Sequence, residues 1–299
     1  MFKTYYHLTK PGIIYGNAIT TIGGFLLASH GMVSPVLLLQ TLVGISFIIA
    51  SACVFNNYID RHIDAKMART KKRALVNGSI TGPQALTFAS ILGVIGAGSL
   101  LLFTNLLTLL IAAIGFIVYV VLYGIAKRAS VHGTIVGSIA GAVPIVVGYT
   151  AVTDRFDAAA FILFIVMVIW QMPHFYAIAM YRRDDYASAS LPVLPVIHGM
   201  ESARAHIIGY VVLFLLASIS LTAVGYAGYT YLVVMTIVGL LWLRLGLGLV
   251  KTRASVSRSA VAGSTSVTPE IIWAKAMFRF SLIALLVFST LLSVNNFLP

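Results

Sequence analysis

Apolar residues run along this chain in long blocks broken by short polar stretches. A helix needs about 20 apolar residues to cross a hydrocarbon core. Nine blocks qualify: 11–29, 37–57, 85–103, 105–126, 132–151, 157–180, 206–225, 229–249 and 276–296. The pattern predicts an all-α integral membrane protein of about nine transmembrane helices. The blocks occupy most of the 299 residues, so residues 1–299 are expected to form a single transmembrane domain. The first block lacks a small-residue cleavage pattern and leads straight into further spans, which predicts a retained helix and not a removed signal peptide.

Composition agrees. Hydrophobic residues make up 60% of the chain and charged residues 9%, against roughly 25% charged in soluble domains. The net charge of +12 could suggest a nucleic-acid partner, but its distribution excludes one. Lys3 and Lys10 precede the first span. Lys66, Arg69, Lys71, Lys72 and Arg73 follow the second, Lys127 and Arg128 the fourth, Arg182 and Arg183 the sixth, and Lys251, Arg253 and Arg258 the eighth. The alternate loops hold only Arg155. This positive-inside pattern puts the N-terminus in the cytoplasm and, with an odd number of spans, the C-terminus outside. Attraction to anionic membrane lipid accounts for most of these charges. The single cysteine, Cys53, excludes a disulfide framework and a CxxC metal site, and is expected to be a buried, inert thiol.

Against this background the segment Asn56-Asn57-Tyr58-Ile59-Asp60-Arg61-His62-Ile63-Asp64 stands out. Asn56, Asp60 and Asp64 are four apart and so share one helical face. The chain has only eight acidic residues. Two carboxylates and an amide are oxygen donors suited to Mg²⁺ held with substrate phosphates. The basic cluster that follows supplies cations for phosphate oxygens; the alternative is a solvated juxtamembrane loop with two helix-end acids. A second group runs Trp170-Gln171-Met172-Pro173-His174-Phe175, then Asp184-Asp185-Tyr186, then Leu191-Pro192-Val193-Leu194-Pro195. Pro173 is expected to kink or break its helix, and His174 follows directly. Asp185 could contribute to a second metal site. Tyr123 and Lys127, four apart at a span end, could face a diphosphate or simply close a helix in the ordinary way. Gly133, Gly137 and Gly141 form a small-residue stripe for close helix packing, and Pro144 is expected to bend that span. The other histidines fall near span ends, with His62 off the Asp60/Asp64 face. HExxH, P-loop and GxGxxG signatures are absent, so zinc-protease, NTPase and Rossmann functions have no support.

Taken together, these segments resemble the UbiA superfamily of intramembrane prenyltransferases. Asn56–Asp64 is similar to its first Asp-rich motif, with Asn57 in place of the first Asp, and Tyr123–Lys127 is similar to its Tyr-x-x-x-Lys motif. Asp64-Ala65-Lys66-Met67-Ala68-Arg69-Thr70, Trp170–Phe175 and Asp185–Pro195 resemble the branch that acts on haem. The second acidic motif is incomplete, since Asp185 is followed four residues on by Ala189 and Asp184 by Ser188. The resemblance implies a UbiA-type bundle around a central cavity forming one prenyltransferase domain. It implies Mg²⁺ as cofactor, and farnesyl diphosphate and haem B as substrates, with haem O and diphosphate as products. It implies Mg²⁺ and diphosphate binding by Asn56, Asn57, Asp60 and Asp64, and diphosphate binding by Arg69, Arg73 and Lys127 with Tyr123. A second metal or orienting role falls to Asp185, and haem contact to His174. The expected location is a bacterial inner membrane with the active site on the cytoplasmic side; haem A synthase or a terminal oxidase would be the downstream partner. Two other readings remain: prenyl transfer to a quinone precursor, and a haem carrier or cation-coupled transporter.

Overall fold

The computed structural model describes residues 2–248 and 268–298. Among these residues the chain is helical without strands, and nine helical spans are long and apolar enough to cross a membrane. A short α1 (Phe2–Leu8) leads into α2 (Pro11–Ala28), then α3 (Pro35–Asp64) and α4 (Gly82–Phe103). The fourth span is composite: α5 (Leu106–Ile117), a π-helical turn at Val118–Leu122, and α6 (Tyr123–Ala129). The fifth is α7 (Gly133–Gly141) followed by α8 (Val143–Thr153). Next come α9 (Ala158–Tyr181), short α10 (Arg183–Ser188) and α11 (Leu194–Ile197), then α12 (Gly199–Ala223), α13 (Tyr229–Leu247) and α14 (Pro269–Val294). The basic residues at 251, 253 and 258 lie outside the described residues.

Neighbours in sequence are largely neighbours in space, and α14 returns to pack on α2, closing the ring of spans. Where apolar blocks alone set the boundaries, three helices run further than expected. α3 continues through Asn56–Asp64 because those polar groups are buried and bonded inside the bundle. α12 starts at Gly199 instead of 206 and α14 at Pro269 instead of 276, each adding polar turns at the same end of the bundle. Local chemistry fixes the starts. Asn105 accepts from Thr108 N at 2.8 Å, Asp157 accepts from Ala160 N at 3.1 Å, and Gln84 accepts from Thr81 N at 2.9 Å, each satisfying an amide that a helix start leaves open.

The proline expectations divide. The fifth span is interrupted at Ala142, two residues before Pro144, as a missing backbone donor requires. α9, by contrast, runs through Pro173 as one helix. Glycines do the close packing. A Cβ on Gly24 would sit on the Ile145 carbonyl, and one on Gly148 on the Thr21 carbonyl. Gly24→Val should therefore push α2 from α8 and cost about 1–3 kcal/mol, the usual cost of overpacking. Thermal unfolding of the detergent-solubilised protein would register this as a lowered midpoint; an unchanged midpoint would show that the helices separate freely.

Candidate active site

The four-residue spacing on α3 produces the buried polar face it predicts. Asn56, Asn57, Asp60 and Asp64 are all less than a tenth exposed. A buried carboxylate requires compensation, and here cations arrive from two parts of the chain. Lys127 on α6 forms a short ion pair with Asp60 Oδ2. Arg128 Nη2 donates to Asp60 Oδ1 at 3.1 Å and to the Ile59 carbonyl at 3.0 Å. Arg73, in the loop after α3, donates from Nη1 to Asp64 Oδ2 at 2.6 Å and to Asn57 Oδ1 at 3.3 Å. Thr70 Oγ1 donates to the Asp64 carbonyl at 2.8 Å, tying the same loop to the helix end.

Lys10, like Arg128, is a functional candidate that sequence reasoning missed. It lies just before α2 in the left-handed region, φ 54°, and Pro11 follows it. Its Nζ is 3.4 Å from the Asn56 amide. That amide has two orientations. In one, Asn56 accepts this single long bond from Lys10. In the other, it donates to Asp60 Oδ2 at 3.0 Å and accepts from Lys127 Nζ at 2.9 Å. The second makes two good bonds, and it leaves the Lys10 ammonium facing the site without that acceptor. Burial pushes this ammonium below its ordinary pKa range; Arg73 and Lys127 act in the same direction, against Cys53 and Asp60. Asn57 Nδ2 donates to the Leu8 carbonyl at 2.9 Å, holding α1 and the Lys10 turn over α3.

The glycine stripe has a specific task. A Cβ on Gly133 would strike the Lys127 backbone, and one on Gly137 would lie 3.0 Å from the Tyr123 ring. Bare α7 therefore lets α6 press close, setting Tyr123 and Lys127 toward α3. Lys127 Nζ sits 4.9 Å from the Tyr123 ring centroid, and Tyr119 stacks on Tyr123 at 5.6 Å. Gly141 faces a different helix: a Cβ there would overlap Gln171 Oε1. Gln171 Nε2 donates to the carbonyls of Ser138 (3.0 Å) and Met167 (2.9 Å).

The second sequence cluster is only partly gathered. The loop after α3 meets the α10 region. Met67 packs with Ala189 and Leu191 beside Ile63 and Tyr186, and Ser188 Oγ donates to the Lys66 carbonyl at 3.3 Å. Arg69 is exposed on this loop and close enough to Tyr186 to favour its phenolate, although burial still leaves the Tyr186 hydroxyl above its ordinary pKa. Asp185 does not join the α3 carboxylates. Its nearest cation is its own neighbour Arg182, 3.9 Å away, and no group of three metal-ligating acids, histidines or cysteines forms among the described residues. Asn56, Asp60 and Asp64, with Asn57 beside them, thus provide the oxygen donors appropriate to Mg²⁺. His174 stands apart, between α9 and α14. Its ring stacks on Trp170 at 5.0 Å and approaches Phe278 at 4.9 Å. Trp170 Nε1 donates to the Ser281 carbonyl at 2.9 Å, and His174 Nδ1 is 2.7 Å from Ser281 Oγ.

Comparison with known proteins places this geometry. The UbiA prenyltransferase family matches residues 17–282. The chain belongs to the UbiA prenyltransferase family. Protoheme IX farnesyltransferase of Sodalis glossinidius (strain morsitans) is 46% identical over 300 residues, covering 100% of this chain and 96% of that protein. The protein of the same name from Photorhabdus laumondii is 47% identical, with 100% and 97% covered. Among solved structures, one described as digeranylgeranylglyceryl phosphate synthase has a TM-score of 0.76 at 21% identity, covering 99% of this chain and 98% of its own. A UbiA homologue from Archaeoglobus fulgidus bound to GPP and Mg²⁺ has a TM-score of 0.65 at 16% identity, with 97% and 100% covered. The all-helical UbiA architecture and its multi-pass membrane character follow.

Proposed function

We propose that this UbiA-family chain is a haem O synthase, transferring the farnesyl group of farnesyl diphosphate to the 2-vinyl group of haem B. Water supplies the new hydroxyl, and haem O and diphosphate are the products. One observation carries the prenyl-transfer half: a buried face where Lys10, Arg73, Lys127 and Arg128 surround only Asp60 and Asp64. Four cations against two carboxylates leave positive charge awaiting an anion. The acceptor half rests on the full-length likeness to proteins named protoheme IX farnesyltransferase. The charge distribution supports the basic end, and so the site, facing the cytoplasm, and the likeness to bacterial relatives supports a bacterial inner membrane.

Breaking the allylic C–O bond puts negative charge on the departing diphosphate. Mg²⁺, when bound on Asn56, Asp60 and Asp64, would supply Lewis-acid stabilisation of that charge. Lys127 and Arg73, paired with those carboxylates, would be available to phosphate oxygens if the carboxylates held the metal. Cations held beside the departing diphosphate stabilise the charge that develops on it. Tyr123 and Tyr119 stack beside them, and aromatic rings near the reacting carbon would favour an allylic cation. The apolar bundle keeps water from that cation until the vinyl carbon has attacked it. The hydroxyl then comes from water adding to the porphyrin-side cation, and its proton leaves to the diphosphate or solvent.

His174 is the proposed haem contact, and its hydrogen bonds support the role. Ser281 Oγ donates to the Phe278 carbonyl at 2.6 Å, so toward His174 it must accept. That assigns the ring proton to Nδ1 and leaves Nε2 with a bare lone pair, the form required of an iron ligand. For His174→Ala, haem titration followed at the Soret band should show a shifted spectrum and about tenfold weaker binding; unchanged spectrum and affinity would remove His174 from the haem site. The function itself is tested by supplying membranes with farnesyl diphosphate, haem B and Mg²⁺ and identifying the porphyrin product by mass spectrometry. Haem O formed with diphosphate release, and abolished by chelation, is expected. Prenylation of an aromatic acid in place of haem B would overturn the acceptor.

A further inference from the structure

We propose that an apolar groove on the outer surface of α6 is a binding site for an anionic phospholipid, whose phosphate is taken by Arg128. The groove has a volume of about 540 Å³ and runs between the end of α3 and the α5–α6 span. Ile59, Val121, Gly124 and Ile125 line it, and Arg128 stands at its basic end. Val121 and Ile125 are 48% and 62% exposed.

Three features make this more than ordinary lipid-facing surface. The π-helical turn at Val118–Leu122 inserts an extra residue per hydrogen-bonded turn, shifting the residues below it out of α-helical register. At Gly124 the wall has no side chain, and a Cβ built there meets nothing within 4 Å. An empty slot the width of a side chain is therefore cut into a surface that is otherwise filled by branched residues. Arg128 supplies the polar end. Arg128 bonds through Nη2, to the Ile59 carbonyl and Asp60 Oδ1. The fork is thereby fixed in position with Nη1 and Nε available, and a guanidinium fork takes a phosphate through two parallel donors. A chain-filled slot ending in a fixed, partly exposed cation matches an amphiphile with an anionic head. A zwitterionic lipid would add its own cation beside Arg128, so an anionic phospholipid is the fitting occupant. Because the same nitrogen that bonds the helix end also bonds Asp60, the lipid would touch the candidate metal face through one side chain. Arg128 is in this sense a positioning residue.

The test needs neither haem nor farnesyl diphosphate, so its outcome is separate from that of the proposed reaction. The full chain is purified in detergent, titrated with phosphatidylglycerol or phosphatidylcholine, and examined by native mass spectrometry. Wild type should retain one phosphatidylglycerol about fivefold more tightly than phosphatidylcholine, the preference expected of one cation at a membrane surface. Arg128→Gln should lose that preference and Arg128→Lys should keep part of it. Gly124→Leu, or Ile125→Trp should the first fail to fold, should lower retention of both lipids by filling the slot. Asp60→Asn should retain the lipid, since the proposed phosphate donors are not those bound to Asp60. Equal retention of the two lipids by wild type would overturn the proposal. So would a preference surviving in both Arg128→Gln and the slot-filling variant, or full displacement of the lipid by millimolar glycerol 3-phosphate, which has a head and no chain.

Discussion

Asp60→Asn is expected to lower turnover by about 10³-fold or more, the scale lost when a charge-stabilising group is removed from a buried reaction centre. The substitution keeps the shape of the side chain and removes the charge that Lys127 and Arg128 share. A loss of activity alone could reflect a disturbed fold, so the discriminating measurement is binding. Without Mg²⁺, a non-hydrolysable farnesyl thiodiphosphate should bind Asp60→Asn at least as well as wild type, because two cations have been released from their carboxylate. With Mg²⁺, wild type should gain affinity and the variant should not. Thermal unfolding shows how much of the protein remains folded; removing one partner of a buried pair costs about 3–5 kcal/mol, less here because Arg128 is 42% exposed. Retained turnover, or a Mg²⁺-dependent gain in the variant equal to wild type, would sink the metal assignment on α3.

Which parts of this site the sequence could announce depends on the range of the interaction. Asn56, Asp60 and Asp64 were legible because a four-residue spacing on a helix puts side chains together whatever the fold does. Tyr123 and Lys127 were legible for the same reason, and the stripe at Gly133 and Gly137 hinted at the close approach that presents them. The nine spans followed from length and hydropathy, while the ends of α3, α12 and α14 did not, since a polar turn inside a bundle is stabilised by partners that hydropathy cannot see. Asp185, whose neighbourhood in sequence suggested a second metal site or an orienting role, pairs locally with Arg182, 3.9 Å away. Pro173 announced a kink or a break, and α9 runs through it as one helix. Arg128 and Lys10 were concealed by a sufficient simpler explanation: every basic residue at that end satisfies the topology rule, and only long-range proximity, with Arg128 bonded to Asp60 across 68 residues and Lys10 brought beside Asn56 across 46, separates a working cation from one that merely orients the chain.

Lys10→Met tests that separation. If Lys10 only orients the first span, the inserted protein should have unaltered kinetics and the loss should be in the amount inserted. If it belongs to the diphosphate site, insertion should be normal and kcat/KM for farnesyl diphosphate should fall about 10²-fold, the effect of removing one charge-assisted contact from a poorly solvated site. The geometry favours the second outcome. Asn57 anchors the Leu8 carbonyl at 2.9 Å and Pro11 restricts the backbone immediately after Lys10, so the ammonium is aimed at Asn56 by a rigid turn instead of a mobile tail. The loss should fall mainly on KM if Lys10 holds the diphosphate equally before and during ionisation, and on kcat if it meets only the charge that develops as the C–O bond breaks. Lys10→Arg should restore binding to within about tenfold, since charge is kept while the reach and fork differ. Unchanged KM and kcat in correctly inserted Lys10→Met would return Lys10 to the topology rule and leave Arg73 and Lys127 as the cations that receive the diphosphate.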